Sequence, residues 1–100
     1  MEGQASISTD ILARYAADAA REVEGVRGLS ESPLPGRRGV RVAGEDGVVR
    51  IELHLSVDWG APIVDVGREV QTRVREYLLR MADVEPASVD VVVDEIGPRA

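Results

Sequence analysis

The stretch Val49-Arg50-Ile51-Glu52-Leu53-His54-Leu55-Ser56-Val57-Asp58 alternates apolar and polar residues without a break. Successive side chains of a strand point to opposite faces, so Val49, Ile51, Leu53, Leu55 and Val57 share one face. Arg50, Glu52, His54, Ser56 and Asp58 share the other. Such a strand belongs in a sheet that is dry on one side and wet on the other. The rest of the chain is read from what must cover the dry side.

Working back from this strand, Glu45-Asp46-Gly47 is a tight turn in which Asp-Gly takes positive φ, and Val40 and Val42 alternate with Arg41 ahead of it. This predicts a hairpin. Ser30 to Gly39 holds two prolines and two glycines and is expected to be a mobile loop, with a short strand over Val26–Leu29 before it. Ser8 is placed to cap a helix starting near residue 9, with Ile7 stapled onto Leu12 and Asp10 at the positive end of the dipole. Leu12, Tyr15, Ala16, Ala19 and Val23 form its apolar stripe, and Gly25 stops it.

Working forward, Pro62 marks the start of a second helix whose stripe is Ile63, Val66, Val70, Val74, Tyr77, Leu78 and Met81, and Pro86 lies just beyond its end. Val89, Val91 and Val93 then alternate with Asp90, Val92 and Asp94 in a last strand. A helix linking two strands of one sheet makes a right-handed crossover that leaves them parallel. The expected fold is α+β in the order α-β-β-β-α-β: a mixed three- to four-stranded sheet with both helices packed on one face and the other face polar. The boundaries read as a flexible N-terminus over 1–6, a single domain over 7–96 and a tail over 97–100.

Bulk properties narrow the function. The core is aliphatic, since Phe is absent and only Trp59, Tyr15 and Tyr77 supply rings. A net charge of −6 opposes non-specific attraction to phosphate backbones or anionic lipid and favours protein partners. All 12 basic residues are arginines, and without cysteine there is no thiolate nucleophile or sulfur ligand. The opening residues Met1 to Ser6 do not read as a secretory signal, and no stretch approaches the roughly 20 apolar residues of a membrane span. A cytoplasmic location is expected.

The chemistry-bearing residues are few. His54, the sole histidine, falls on the polar face with Arg50 and Glu52; a lone exposed histidine is ordinarily a surface residue, and zinc needs three or four ligands. Asp58, Asp90, Asp94 and Glu95 lack the order of a calcium loop and read as solvated charge. Gly36-Arg37-Arg38-Gly39 imitates the G-x-x-G loop that clamps a nucleic-acid backbone in KH domains, but that loop joins two helices and this one leads into a strand. RNA binding through it is the alternative function; nucleic acid is disfavoured, because the polar sheet face offers no ring on which bases stack. Trp59, followed by Gly60, reads first as a half-buried anchor folded over a sheet edge or helix start, and second as a partner hot spot. No triad, Walker or dinucleotide motif occurs, so no catalytic, cofactor-binding or metal-ligating residue is assigned and an enzyme is not expected.

The order of segments resembles the alkaline-shock-protein, or envelope stress response, family of Gram-positive and related bacteria. The resemblance runs from the helix at Ile7-Ser8 to Val23, through Glu24-Gly25-Val26-Arg27-Gly28-Leu29 and Gly39-Val40-Arg41-Val42, to Val57-Asp58-Trp59-Gly60. It continues with Val70-Gln71 and Val74, and closes with Val89-Asp90-Val91-Val92-Val93. Trp59 stands where a tyrosine is frequent, and the usual lysines are missing. The resemblance implies a cytoplasmic protein of envelope homeostasis that self-associates or is held at the membrane by a membrane-anchored relative. The expectation is a non-catalytic, cofactor-free scaffold or adaptor, with Arg37, Arg38, Arg50, Glu52, His54 and Trp59 as candidate partner-binding residues.

Overall fold

The computed structural model of the protein describes residues 8–30 and 39–98. The alternating stretch is strand β3 (Val48–Asp58), and the chain runs α1 (Thr9–Arg21), β1 (Val26–Leu29), β2 (Val40–Glu45), β3, α2 (Ile63–Ala82) and β4 (Ser88–Gly97). Local chemistry sets the boundaries. The Ser8 hydroxyl accepts the Ile11 N–H at 3.2 Å and caps α1; Ile7 lies outside the described residues. Asp46 and Gly47, with φ of 53° and 77°, form the two-residue turn between β2 and β3.

β3 pairs with every other strand. β2 lies antiparallel along Val48–Leu53 and β1 antiparallel along Leu55–Val57. The two therefore follow each other end to end on one edge of β3. β4 pairs parallel to β3 along the other edge, from Arg50 to Asp58. The sheet is mixed, as the crossover argument requires, and two of its three pairings are antiparallel. Its register slips twice. In β1, Val26 faces Val57 and Gly28 faces Ser56, which makes Arg27 an extra residue. In β4, Val93 faces Leu55 and Glu95 faces Ser56, which makes Asp94 an extra residue.

Ile51, Leu53, Leu55 and Val57 are at most 1% exposed and pack against Leu12, Ala16, Ala19, Ala20 and Val23 of the α1 region. Val66, Val70, Val74 and Leu78 of α2 close the same core, so both helices lie on one side of the sheet. Tyr15 and Tyr77 meet edge to face, 5.7 Å between centroids, where the helices touch. Gln71 donates to the Val89 carbonyl at 2.9 Å and ties α2 to β4. Two residues of the expected α2 stripe depart from it: Ile63 is 39% and Met81 47% exposed. Both stand in the terminal turns of α2, past the last core layers. Among the described residues, no helix is long and apolar enough to cross a membrane.

Candidate functional site

Two distinct assemblies stand out, one on the wet face of the sheet and one at its end. The first centres on His54, opposite the point where the β1 line ends and β2 begins. Its backbone holds both: Ser30 N–H donates to the His54 carbonyl at 2.9 Å, and His54 N–H donates to the Gly39 carbonyl at 2.7 Å. Gly39 has φ of 72°, and a Cβ there would stand 2.5 Å from the Ser30 oxygen and 2.9 Å from that of His54. Only glycine suits so close an approach in that conformation.

The His54 ring lies between two carboxylates, Nδ1 at 2.7 Å from Asp94 Oδ2 and Nε2 at 2.6 Å from Glu52 Oε2. Ser30, itself buried, donates its hydroxyl to the same Asp94 oxygen at 3.1 Å. The β4 bulge supplies Asp94, and the β3 alternation supplies Glu52 and His54. A neutral imidazole donates from one nitrogen, whereas an imidazolium donates from both, so the arrangement favours the charged ring. The His54 pKa is accordingly raised, chiefly by the Glu52 hydrogen bond and then by Asp94, against a smaller opposing effect of burial. Glu52 is lowered chiefly by His54, and Asp94 is lowered by His54 and then by Ser30. In the charged form both nitrogens donate, and the ring then has no lone pair to offer a substrate proton or a metal. Among the described residues, no group of three or more His, Asp or Glu side chains is placed to hold a metal ion.

Beyond this cluster, Arg41 pairs with Glu52 and Ala43 with Arg50 across β2 and β3, and Arg50 is exposed. Ser56, expected on the wet surface, is 5% exposed. The extra residue Arg27 covers it, donating to its Oγ at 3.1 Å, and the guanidinium continues over Gly97, where a side chain would collide with it. Among the described residues no aromatic side chain stands on the strands of this face. Arg37 and Arg38 lie outside the described residues.

The second assembly is a groove at the C-terminal end of β3. Trp59 is 71% exposed, which overturns its reading as a half-buried anchor. Its N–H is fixed to the Gly97 carbonyl at 2.7 Å, and Gly60, at φ of 86°, turns the chain away at once. Ala61 takes the covering position instead. Gly25, at φ of 98°, packs there so closely that a Cβ would come within 2.9 Å of Val66. The groove has a volume of ≈ 610 Å³, with Trp59, Ala61, Gly25 and Val66 as its apolar wall. Its rim carries Glu24, Asp58, Asp65 and Glu69 against Arg73, and Arg73 is already engaged by Glu69 at 2.9 Å.

These carboxylates come from three separate segments, so no local motif announces them; only the i, i+4 spacing of Asp65 and Glu69 was visible beforehand. A family model for alkaline shock protein 23, with a cell envelope-related function, matches residues 1–98. The chain belongs to that family. Alkaline shock protein 23 relatives are non-enzymatic stress proteins. No curated protein matches this alkaline shock protein 23 family member.

Solved structures with a similar fold include a MamM CTD in a manganese form, 17% identical with a TM-score of 0.59, covering 88% of this chain and 99% of that one. Another MamM CTD is 16% identical with a TM-score of 0.60, covering 93% and 100%. A MamM CTD in a cadmium form is 17% identical with a TM-score of 0.59, covering 87% and 95%. At these identities the likeness concerns the fold alone.

Proposed function

We propose that this family member is a non-catalytic adaptor of a cell envelope-related process, acting in the cytoplasm by self-association or by recruitment to a membrane-anchored relative. The observation that carries the reading is Trp59, a large ring left 71% exposed against a groove rimmed by carboxylates. Exposed tryptophans beside a pocket are the residue type on which binding energy concentrates. The His54 cluster supports the same reading from the other direction, since both ring nitrogens are engaged by carboxylates of the same chain. The manganese and cadmium forms of MamM CTD give no metal role to this chain, whose one histidine is engaged at both nitrogens.

Crosslinked affinity capture from the native cells, with wild type and Trp59→Ala side by side, tests the reading. Wild type is expected to recover further copies of itself or a membrane-anchored relative, and the variant to lose at least tenfold of that recovery. Identical captures from both would remove Trp59 from the interface and the adaptor reading with it.

A further inference from the structure

We propose that His54 works a proton-controlled switch on the wet face of the sheet: on losing its proton the ring keeps Asp94 and releases Glu52, which turns to Arg41 across the β2–β3 ladder. Neither state involves the groove at Trp59, so the switch stands or falls apart from the adaptor reading.

Only one charge state of the ring satisfies its surroundings. Each ring nitrogen stands within 2.7 Å of a carboxylate oxygen, and an imidazolium donates to both. A neutral imidazole has a single N–H, so its other nitrogen would turn a lone pair toward a carboxylate at hydrogen-bond distance. Two acceptors repel there. Loss of the proton therefore ends one of the two contacts.

Which contact ends follows from how each carboxylate is held. Asp94 has the shorter side chain, stands at the β4 bulge and accepts a second hydrogen bond, from the buried Ser30 hydroxyl at 3.1 Å. Glu52 has the longer side chain, 40% exposed, and among the described residues the ring is its one hydrogen-bond partner. Its neighbours across the sheet push the same way. Asp90 lies directly opposite Glu52 on β4 and repels it, whereas Arg41 lies directly opposite on β2 and attracts it. Arg41 is exposed and forms no ion pair among the described residues. The remaining charges near the ring are Glu95 and Arg27 beside Ser56, and Arg50 and Asp58 four residues away along β3; none of them hydrogen-bonds it.

The ring's pKa is raised, chiefly by the Glu52 hydrogen bond, so the exchange falls on the alkaline side of the ordinary 6.5. Below it the Arg41 guanidinium is open to a ligand. Above it Arg41 is covered by Glu52 and Nε2 of His54 carries a lone pair. The wet face thus changes its pattern of charge and hydrogen bonding while the backbone pairing of β3 stays as it is.

NMR of the full-length protein, labelled with 15N and 13C and followed over about pH 5 to 9, tests the switch. Above the His54 midpoint the proton is expected on Nδ1, with Nε2 giving the far-downfield signal of an unprotonated ring nitrogen. That is the tautomer a free imidazole disfavours. A nuclear Overhauser effect between the Glu52 and Arg41 side chains is expected to appear with the same midpoint. In Asp94→Ala the neutral ring is expected to move its proton to Nε2 and keep Glu52, so that the contact with Arg41 never forms. A wild-type ring protonated at Nε2 above the midpoint would overturn the proposal, as would Glu52 and Arg41 side chains that do not approach. Both readings are made on wild type, so the outcome does not depend on a variant that folds.

Discussion

His54, in the middle of β3, and Trp59, just past its end, sit five residues apart and have opposite fates. His54 carries a charge-bearing ring, yet each nitrogen meets a carboxylate within 2.7 Å and the second carboxylate is held again by Ser30. Trp59 carries the largest apolar side chain in the protein, yet nothing in the described chain covers it. An exposed polar group with its partners inside the molecule has little left to offer a ligand. An exposed ring with none does. The chemically conspicuous residue is thus a structural cross-link between β3, β4 and the β1 line, and the apolar one stands open beside the groove.

The contrast is broken most severely at the junction that positions His54. Gly39→Ala forces a Cβ against two carbonyl oxygens at positive φ, and is expected to destabilise the fold by about 3 kcal/mol or more. Urea denaturation reads this, and a variant as stable as wild type would show that the junction relaxes freely. Leu55→Ala, on the dry side next to His54, is expected to cost about 2–5 kcal/mol by the same assay.

His54→Gln probes the cluster itself. The ring is partly exposed and its pairs are screened by water, so the loss is expected to stay below about 1 kcal/mol. Its pH dependence is the sharper signature. The His54 pKa is raised on folding, so its contribution is complete below the ordinary value of 6.5 and is lost as pH rises through the folded value. Glu52 and Asp94 are lowered, so theirs is complete above the ordinary 4.5 and 3.8 and is lost as pH falls through the folded values. The cluster is therefore strongest between about pH 4.5 and 6.5. Thermal melts across pH 3–9 are expected to show a difference between wild type and His54→Gln that peaks in that window; a constant difference would mean that the ring's charge is irrelevant.

Trp59→Ala is expected to change stability least, within about 0.5 kcal/mol, because so little of the ring is buried. A melting temperature several degrees lower would make Trp59 an anchor after all and blur the contrast with His54.

Periodicity made the fold legible. Strict alternation in β3 assigned its two faces, the stripes of Leu12 to Val23 and Val66 to Leu78 assigned the helices to the dry one, and Asp46-Gly47 set the hairpin. These features depend on neighbours along the chain, which a sequence displays. The site was legible only in part. His54, Glu52 and Arg50 were placed correctly on the wet face, but the partners that neutralise His54 were hidden because Asp94 reaches it through a bulge in β4. Ser56 vanished beneath Arg27 for the same reason, an inserted residue in β1.

By itself, then, the sequence determined the order of elements, the direction of each apolar face and the scarcity of groups able to do chemistry, because side-chain period and residue type are local properties. The tertiary structure alone decided that β1 and β2 share one edge of β3, that His54 is enclosed by Ser30, Glu52 and Asp94, and that Trp59 stands open beside Glu24, Asp58, Asp65 and Glu69. Those outcomes depend on strand register and on which residue reaches the covering position first, and both are set by contacts between segments far apart in the chain.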